Sequence, residues 1–482
     1  MRQTSFSATL YIGAWILAPA VVGLPAESSA QNTAADWLAA NESYLVGVAD
    51  ALWAIPEPAH AEVQSSEYLQ GELSKAGFLV TQGVADLPTA FVASYGSGRP
   101  VIGIVALLDA LPGLSQERFA TERRPIVPGG PGHGCGHNLI GAADLGAALA
   151  LRHAIDVEEL EATIRFYGAP AEEIYHGGVY MVRAGVFDDV DALLFWHPSA
   201  VTTVISRSGL AMDSVRFVFH GRASDATDAA DKGVNALSAA YQLAGALDSE
   251  SWPADAVVNH VLLEGGTIPS IVPERATQWL FIHGGDRESV AALRTRIDAL
   301  AESIARASGT RLEIQLLSSA SEWLINRELG NLLHRSLVES EPISYTRDEV
   351  AFANQLRREF DATGAEALLT SVYPPAYTDE PVPISDDTAE ASWVTPRGGF
   401  LVACFPADVP SHSWQWASSA SSSFAHKGML RAARALTATA IELMTNEQRM
   451  VDVRREFEEA TRGLKYESPL PREREAFDYL RK

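Results

Sequence analysis

Residues 101–113 read Val-Ile-Gly-Ile-Val-Ala-Leu-Leu-Asp-Ala-Leu-Pro-Gly. A short continuous apolar run closed by turn residues predicts a strand buried on both faces over residues 101–108. The same pattern recurs at residues 163–167, 192–195 and 400–405. Helix-forming stretches lie between these runs: an Ala/Leu-rich one at 141–155 and another at 427–444. Strands alternating with helices predict an α/β layer with a mainly parallel sheet.

The middle of the chain has a different rhythm. Residues 214–220 alternate apolar and polar, as a half-buried strand does, and 235–247 reads as a helix. Strand-like runs follow at 257–263, 278–283 and 311–317, with a helix at 287–307 before the last. That order predicts a small α+β sandwich of ferredoxin-like type, inserted between residues 210 and 320. The expected division is therefore 1–30 as a leader, 31–209 and 321–482 as two parts of one domain, and 210–320 as the insert.

Each apolar strand of the larger domain leads into a polar residue. The first ends at Asp109. The second runs into Gly168-Ala169-Pro170-Ala171-Glu172-Glu173, the third into Trp196-His197-Pro198, and the fourth into Pro410-Ser411-His412-Ser413. A fifth segment, Gly132-His133-Gly134-Cys135-Gly136-His137, opens the helix expected at Gly141. Ligand sites of open α/β sheets gather beyond the carboxyl ends of the strands, so these distant segments can converge.

The residue types suit divalent transition metals, since imidazole, thiolate and carboxylate are their ligands. In Cys135-Gly136-His137 the glycine permits a tight backbone path between two donors. A thiolate can bridge two cations and is deprotonated by them. Of the paired glutamates, one can ligate while the other moves a proton. Asp109 is expected to orient a histidine. His412 and His426 compete for the last ligand place, and His412 is favoured because it follows a strand.

The chain has 482 residues, with 37 basic and 61 acidic side chains, a net charge of −24. That charge argues against nucleic acid or an anionic membrane surface as partner. At the N-terminus, Arg2, an apolar run at 10–24 and Ser28-Ser29-Ala30 read as a secretory signal peptide with cleavage before Gln31, implying a periplasmic or secreted protein. Of two cysteines, Cys135 suits metal chemistry and Cys404 a small core position.

With these residues in place, the sequence resembles the aminoacylase/carboxypeptidase group of metallopeptidases, in the branch of the aminobenzoyl-glutamate utilisation protein B amidohydrolases. The resemblance is carried by DALPGL (109–114), GHGCGHNL (132–139), GAPAEE (168–173), AGVFDDVD (184–191), WHP (196–198), HSWQ (412–415), AHKGML (425–430) and YESPLP (466–471). It implies a catalytic domain with an inserted lid through which the protein forms a homodimer. It also implies two divalent metal ions, zinc or manganese, held by Cys135, His137, Glu173, His197 and His412, with Glu172 as the general base. The implied reaction is hydrolysis of the amide bond of an N-acyl or aromatic-acyl amino acid.

The lid departs from the family pattern. A histidine that supports the developing oxyanion from the opposite subunit is replaced by Asp225, in Gly221-Arg222-Ala223-Ser224-Asp225-Ala226. A substrate-contacting asparagine is replaced by Ser270, and a carboxylate-gripping arginine by His283. An ionised aspartate cannot donate to an oxyanion, nor can histidine reproduce the guanidinium fork. Asp225, Ser270, His283 and His426 are accordingly the expected substrate-side residues, facing a small amide other than the usual glutamate conjugate. Two alternatives stand beside this reading: an aminohydrolase releasing ammonia from an aromatic amine, and a metal-retaining binding protein without turnover.

Overall fold

The computed structural model describes residues 28–471 apart from 361, 363 and 365. The expected leader falls almost wholly outside them. Ser28 caps a helix, Ser29–Ala40, in a reciprocal capping box with Gln31. Cleavage before Gln31 would remove that cap.

The larger sheet contains β1 (Leu79–Gln82), β2 (Phe91–Ser97), β3 (Val101–Leu107), β4 (Ala162–Ala169), β5 (Ala192–Ser199), β6 (Thr203–Val204) and β11 (Arg397–Ala403), in the order β1-β2-β4-β3-β5-β11-β6. Its centre, β4-β3-β5-β11, is parallel. The edges β1, β2 and β6 pair antiparallel. Those edge strands escape the sequence reading because they are short or half-exposed and lack a continuous apolar run. Every residue of β3 is buried, as expected of a central parallel strand.

Two long helices, His137–Glu158 and Ser423–Thr445, cover the sheet. The first starts at His137, not Gly141, because Gly136 turns the chain at φ +83° and the next residue is already helical. Its glycines let neighbours approach closely: a Cβ on Gly146 would lie 2.7 Å from Leu45.

The second sheet holds β7 (Ala211–His220), β8 (Val257–Glu264), β9 (Arg275–Gly284) and β10 (Arg311–Ala320), antiparallel in the order β10-β7-β9-β8. Helices Ala236–Ser249 and Arg287–Ser308 pack on one face of it. Val215, Phe217, Phe219, Ala276, Leu280 and Ile282 join them in a core of their own. The two-residue period of a strand then puts Trp279, Phe281 and His283 on the opposite face. That face meets the larger domain: the Phe281 ring packs edge-on at 5.1 Å from Tyr175. Among the described residues no helix is long and apolar enough to cross a membrane.

Candidate metal centre

Register brings the polar segments to one end of the larger sheet. Leu107 of β3 pairs with Ala169 of β4, and Ser199 of β5 with Ala403 of β11. Asp109, the 170–173 loop and His197 therefore emerge together. The glycine motif crosses the same end, tied by mutual backbone bonds between Leu111 and Gly132 and by His412 N donating to Gly134 O at 3.0 Å. A Cβ on Gly132 would sit 2.1 Å from Leu114 O, so only glycine fits that approach.

Three overlapping groups of metal-type donors result: Cys135, His137 and His197; Cys135, Glu173 and His412; and His137, Glu172 and Glu173. Within each, the ligand atoms lie within 4.8 Å of one another. Cys135 is common to two of them, and its Sγ is 3.3 Å from His197 Nε2. The other ring nitrogen, His197 Nδ1, donates to Pro198 O at 2.7 Å, which makes Nε2 the lone-pair nitrogen, turned toward that thiol. His137 Nε2 and Glu173 Oε1 are buried without a hydrogen-bond partner. Buried polar atoms are almost always satisfied. Imidazole and carboxylate atoms left bare beside a buried thiol are what divalent ions require.

Asp109 organises this cluster. Its Oδ1 lies 3.3 Å from His137 Nδ1. The carboxylate also accepts from Glu172 N at 3.2 Å and Glu173 N at 3.0 Å. The loop that carries the two glutamates is bracketed by Ala171 at φ +57° and Tyr175 at φ +59°. Left-handed backbone at non-glycine residues costs about 1–3 kcal/mol each and persists only where surroundings enforce it.

Burial, then the charges of Glu173 and the neighbouring acids, pushes the Glu172 carboxyl well above the ordinary carboxylate range. Burial raises Glu173 to about 7, with His137 opposing and Asp109 adding. Burial and the same acids raise the Cys135 thiol. His197 falls to about 4 through burial and the neighbouring His137. Burial alone would lower His137, yet Asp109 and Glu173 raise it. Burial is the first cause throughout and is outweighed only at His137; at the carboxyls and the thiol the neighbouring acids add to it, a surplus of negative groups that calls for positive charge. Divalent cations supply it and hold such groups deprotonated.

His412 is the most open member, its side chain 52% accessible and Nε2 3.5 Å from Glu173 Oε2. His426 is not among these donors. It sits on the Ser423–Thr445 helix, its Nε2 3.6 Å from Asp50 Oδ1. The lid candidates lie apart from the donors. Asp225 is exposed and accepts from Thr227 N at 2.7 Å and Asp228 N at 3.1 Å, bonds that lower its pKa and keep it ionised. Ser270 is beside it, its carbonyl accepting from Ala226 N at 3.0 Å. His283 alone reaches the catalytic side, its ring 6.0 Å from Tyr175. Burial lowers its pKa and favours the neutral imidazole, with the Val257 carbonyl 3.3 Å from Nδ1 opposing.

Sequence reasoning missed further acids. Asp386 and Asp387 come within 4.8 Å of Glu172. Asp386 is ion-paired with buried Arg397, and Asp387 accepts from Gly178 N at 2.7 Å. Both precede β11, away from the strand ends and the glycine-rich motif that point to the other donors; the adjacent acids in Ser385-Asp386-Asp387 were the available signal.

Comparison with known proteins agrees with this geometry. Residues 106–441 match Peptidase family M20/M25/M40. A subunit of the p-aminobenzoyl-glutamate hydrolase from Escherichia coli is 33% identical over 464 residues, covering 91% of this chain and 96% of that protein. An aminobenzoyl-glutamate utilization protein from Klebsiella pneumoniae shares the fold at TM-score 0.59 and 18% identity, covering 85% of this chain and 98% of its own. A dinuclear metal-binding peptidase of the M20 family from Bacillus subtilis does so at 0.53 and 20%, covering 85% and 99%. The chain therefore belongs to peptidase family M20/M25/M40, as a metal-dependent amidohydrolase.

Proposed function

We propose that this protein hydrolyses the amide bond of a small N-acyl amino acid or related amide, aromatic acyl groups included, at a centre of two divalent ions, zinc or manganese. The observation that carries the reading is Cys135 Sγ, shared by two donor groups with Glu172 beside them. Cys135, His137, Glu173, His197 and His412 would hold the ions. When bound, these ions polarise the scissile carbonyl and acidify the attacking water. Glu172 takes a proton from that water on its carboxylate and passes it to the departing amide nitrogen. Asp109 keeps the His137 ring and both glutamate backbones oriented.

The lid supports a substrate without the usual anionic end. Asp225 is ionised and His283 is neutral, so neither offers the positive fork that grips a carboxylate. The neutral His283 also favours a second reading, deamination of an aromatic amine. We further propose that two copies join through the lid. Its strand β8 ends the second sheet and exposes Val257, Val261, Leu262 and Leu263. An apolar edge of that kind is a template for pairing. The Escherichia coli relative is by name one subunit of its hydrolase, which makes a different partner chain the competing outcome. Export rests on Arg2 and the apolar run at 10–24.

One panel tests the activity. The zinc- and manganese-loaded protein is incubated with N-acyl amino acids, glutamate conjugates and aromatic amines, and products are read by mass spectrometry. Amide cleavage supports the first reading, and ammonia release without cleavage the second. Metal bound without turnover would leave a binding protein. Mass measurement in solution reports the assembly.

A further inference from the structure

Glu62 lies outside every donor group, yet its side chain is fully buried beside the catalytic loop. It reaches the site from the segment before the helix Val63–Lys75. Its Oε1 accepts from Ala171 N at 2.8 Å and from His60 N at 3.0 Å. Its Oε2 meets the Thr89 hydroxyl at 3.0 Å. The same segment touches the site at two further points. Glu57 O accepts from Ala110 N at 2.7 Å, next to Asp109. The His60 ring meets that of His176 at 3.0 Å, at the far end of the loop.

Three consecutive amides of the loop are thus taken by two buried carboxyl groups: Ala171 by Glu62, then Glu172 and Glu173 by Asp109. Ala171 is the left-handed residue that turns the chain into the glutamate pair. Without an acceptor for its N–H, that turn has no side-chain hold on its first amide. We propose that Glu62 is a positioning residue, acting through Ala171 to aim Glu172 and Glu173, with the 57–62 segment as a clamp on the catalytic loop. This rests on the proposed roles of Glu172 and Glu173, whereas the hold on the loop itself does not. Burial and the nearby Asp109 push the Glu62 carboxyl up to about 8. A neutral acid keeps Oε1 for both amides, with its proton on Oε2 toward Thr89. Glutamine reproduces that pattern, with Nε2 donating to Thr89.

The experiment compares the full chain with Glu62→Ala and Glu62→Gln. Hydrogen exchange at residues 171–173 is read on the metal-free proteins, and zinc affinity by competition with a chelating dye. Glu62→Ala is expected to speed local exchange about tenfold or more and to weaken zinc about 10–100-fold, as loss of a partner behind a ligand does. Glu62→Gln is expected to restore both. Where the panel yields a substrate, kcat falls in Glu62→Ala with KM little changed. Wild-type exchange and affinity in Glu62→Ala would overturn the proposal. So would a Glu62→Gln protein as impaired as Glu62→Ala. If the wild-type chain binds no metal, the proposed function falls, while the exchange comparison still decides the clamp.

Discussion

The end of the large sheet and the loops of the lid treat their polar atoms in opposite ways. At the sheet end, His137 Nε2 and Glu173 Oε1 are buried with no hydrogen-bond partner. In the lid, Asp225 spends its carboxylate on Thr227 and Asp228, and His283 Nδ1 faces a carbonyl of the adjacent strand. Donors left bare in a buried place are set for a ligand, because leaving them so otherwise costs about 1–3 kcal/mol per group. Donors closed on their own loop are set for shape. Under the proposed function, the contrast separates a reacting centre whose donors await a ligand from a lid whose polar groups are closed on local turns.

The contrast breaks first at the general base. Glu172→Gln is expected to lower turnover by about 10²–10⁴-fold, the range of a positioned acid–base group. Metal content should stay at the wild-type value, since Glu173 and not Glu172 is the assigned ligand. Steady-state kinetics with elemental analysis reads both. Surviving turnover would move the base elsewhere. Next comes the thiol. Cys135 belongs to two donor groups and His412 to one. Cys135→Ala is therefore expected to empty both positions and His412→Ala only one, read as metal per chain after dialysis. Equal losses in the two variants would mean the thiol does not bridge.

A milder effect concerns Glu62 and pH. Its folded pKa is about 8 against an ordinary 4.5, raised by burial and then by Asp109. Between those values the unfolded chain gives up the proton while the folded chain keeps it. Its contribution to stability is thus complete below the lower value and is lost as pH rises through the upper one. The slope is up to about 1.4 kcal/mol per pH unit. Glutamine does not titrate. The Tm of metal-free Glu62→Gln should therefore gain on the wild type as pH rises from 5 to 8, and converge with it at the acid end. Parallel Tm curves would show that the carboxyl titrates normally.

Much of this arrangement was legible where chemistry follows a strand. The continuous apolar runs gave the central parallel strands, and Asp109, Glu172, Glu173 and His197 attracted notice because each stands at or beyond a strand's end. The insert was legible for another reason: its alternating strands differ in period from the buried ones around them. Glu62 was not legible, and Asp386 and Asp387 offered only their adjacency as a signal. They enter from a loop and a short helical turn preceding their elements, and nothing in local periodicity marks a loop as buried. The edge strands β1 and β2 stayed hidden because half-exposed antiparallel residues carry a weak apolar signal. Between the two late histidines, following a strand was the useful signal: His412 joins a donor group with Cys135 and Glu173, and His426 joins none.

The smallest expected effect sharpens the lid side. The family resemblance puts Asp225 at the place expected of an oxyanion-supporting histidine, which invites the idea that one substitution restores the missing donor. The local geometry argues otherwise. Asp225 Oδ1 takes two backbone amides at once, those of Thr227 and Asp228. A neutral imidazole has one acceptor nitrogen and cannot hold both. Asp225→His is thus expected to loosen the 225–228 turn without placing a donor. Turnover of a glutamate conjugate should stay within about twofold of wild type, against the ~10²–10³-fold that one working oxyanion donor supplies. Asp225→Asn, which keeps the acceptor oxygen, should preserve the turn and serve as the control. A tenfold or larger gain in the histidine variant alone would mean that the lid differs by a single group, and the separation between reacting centre and recognition surface would disappear.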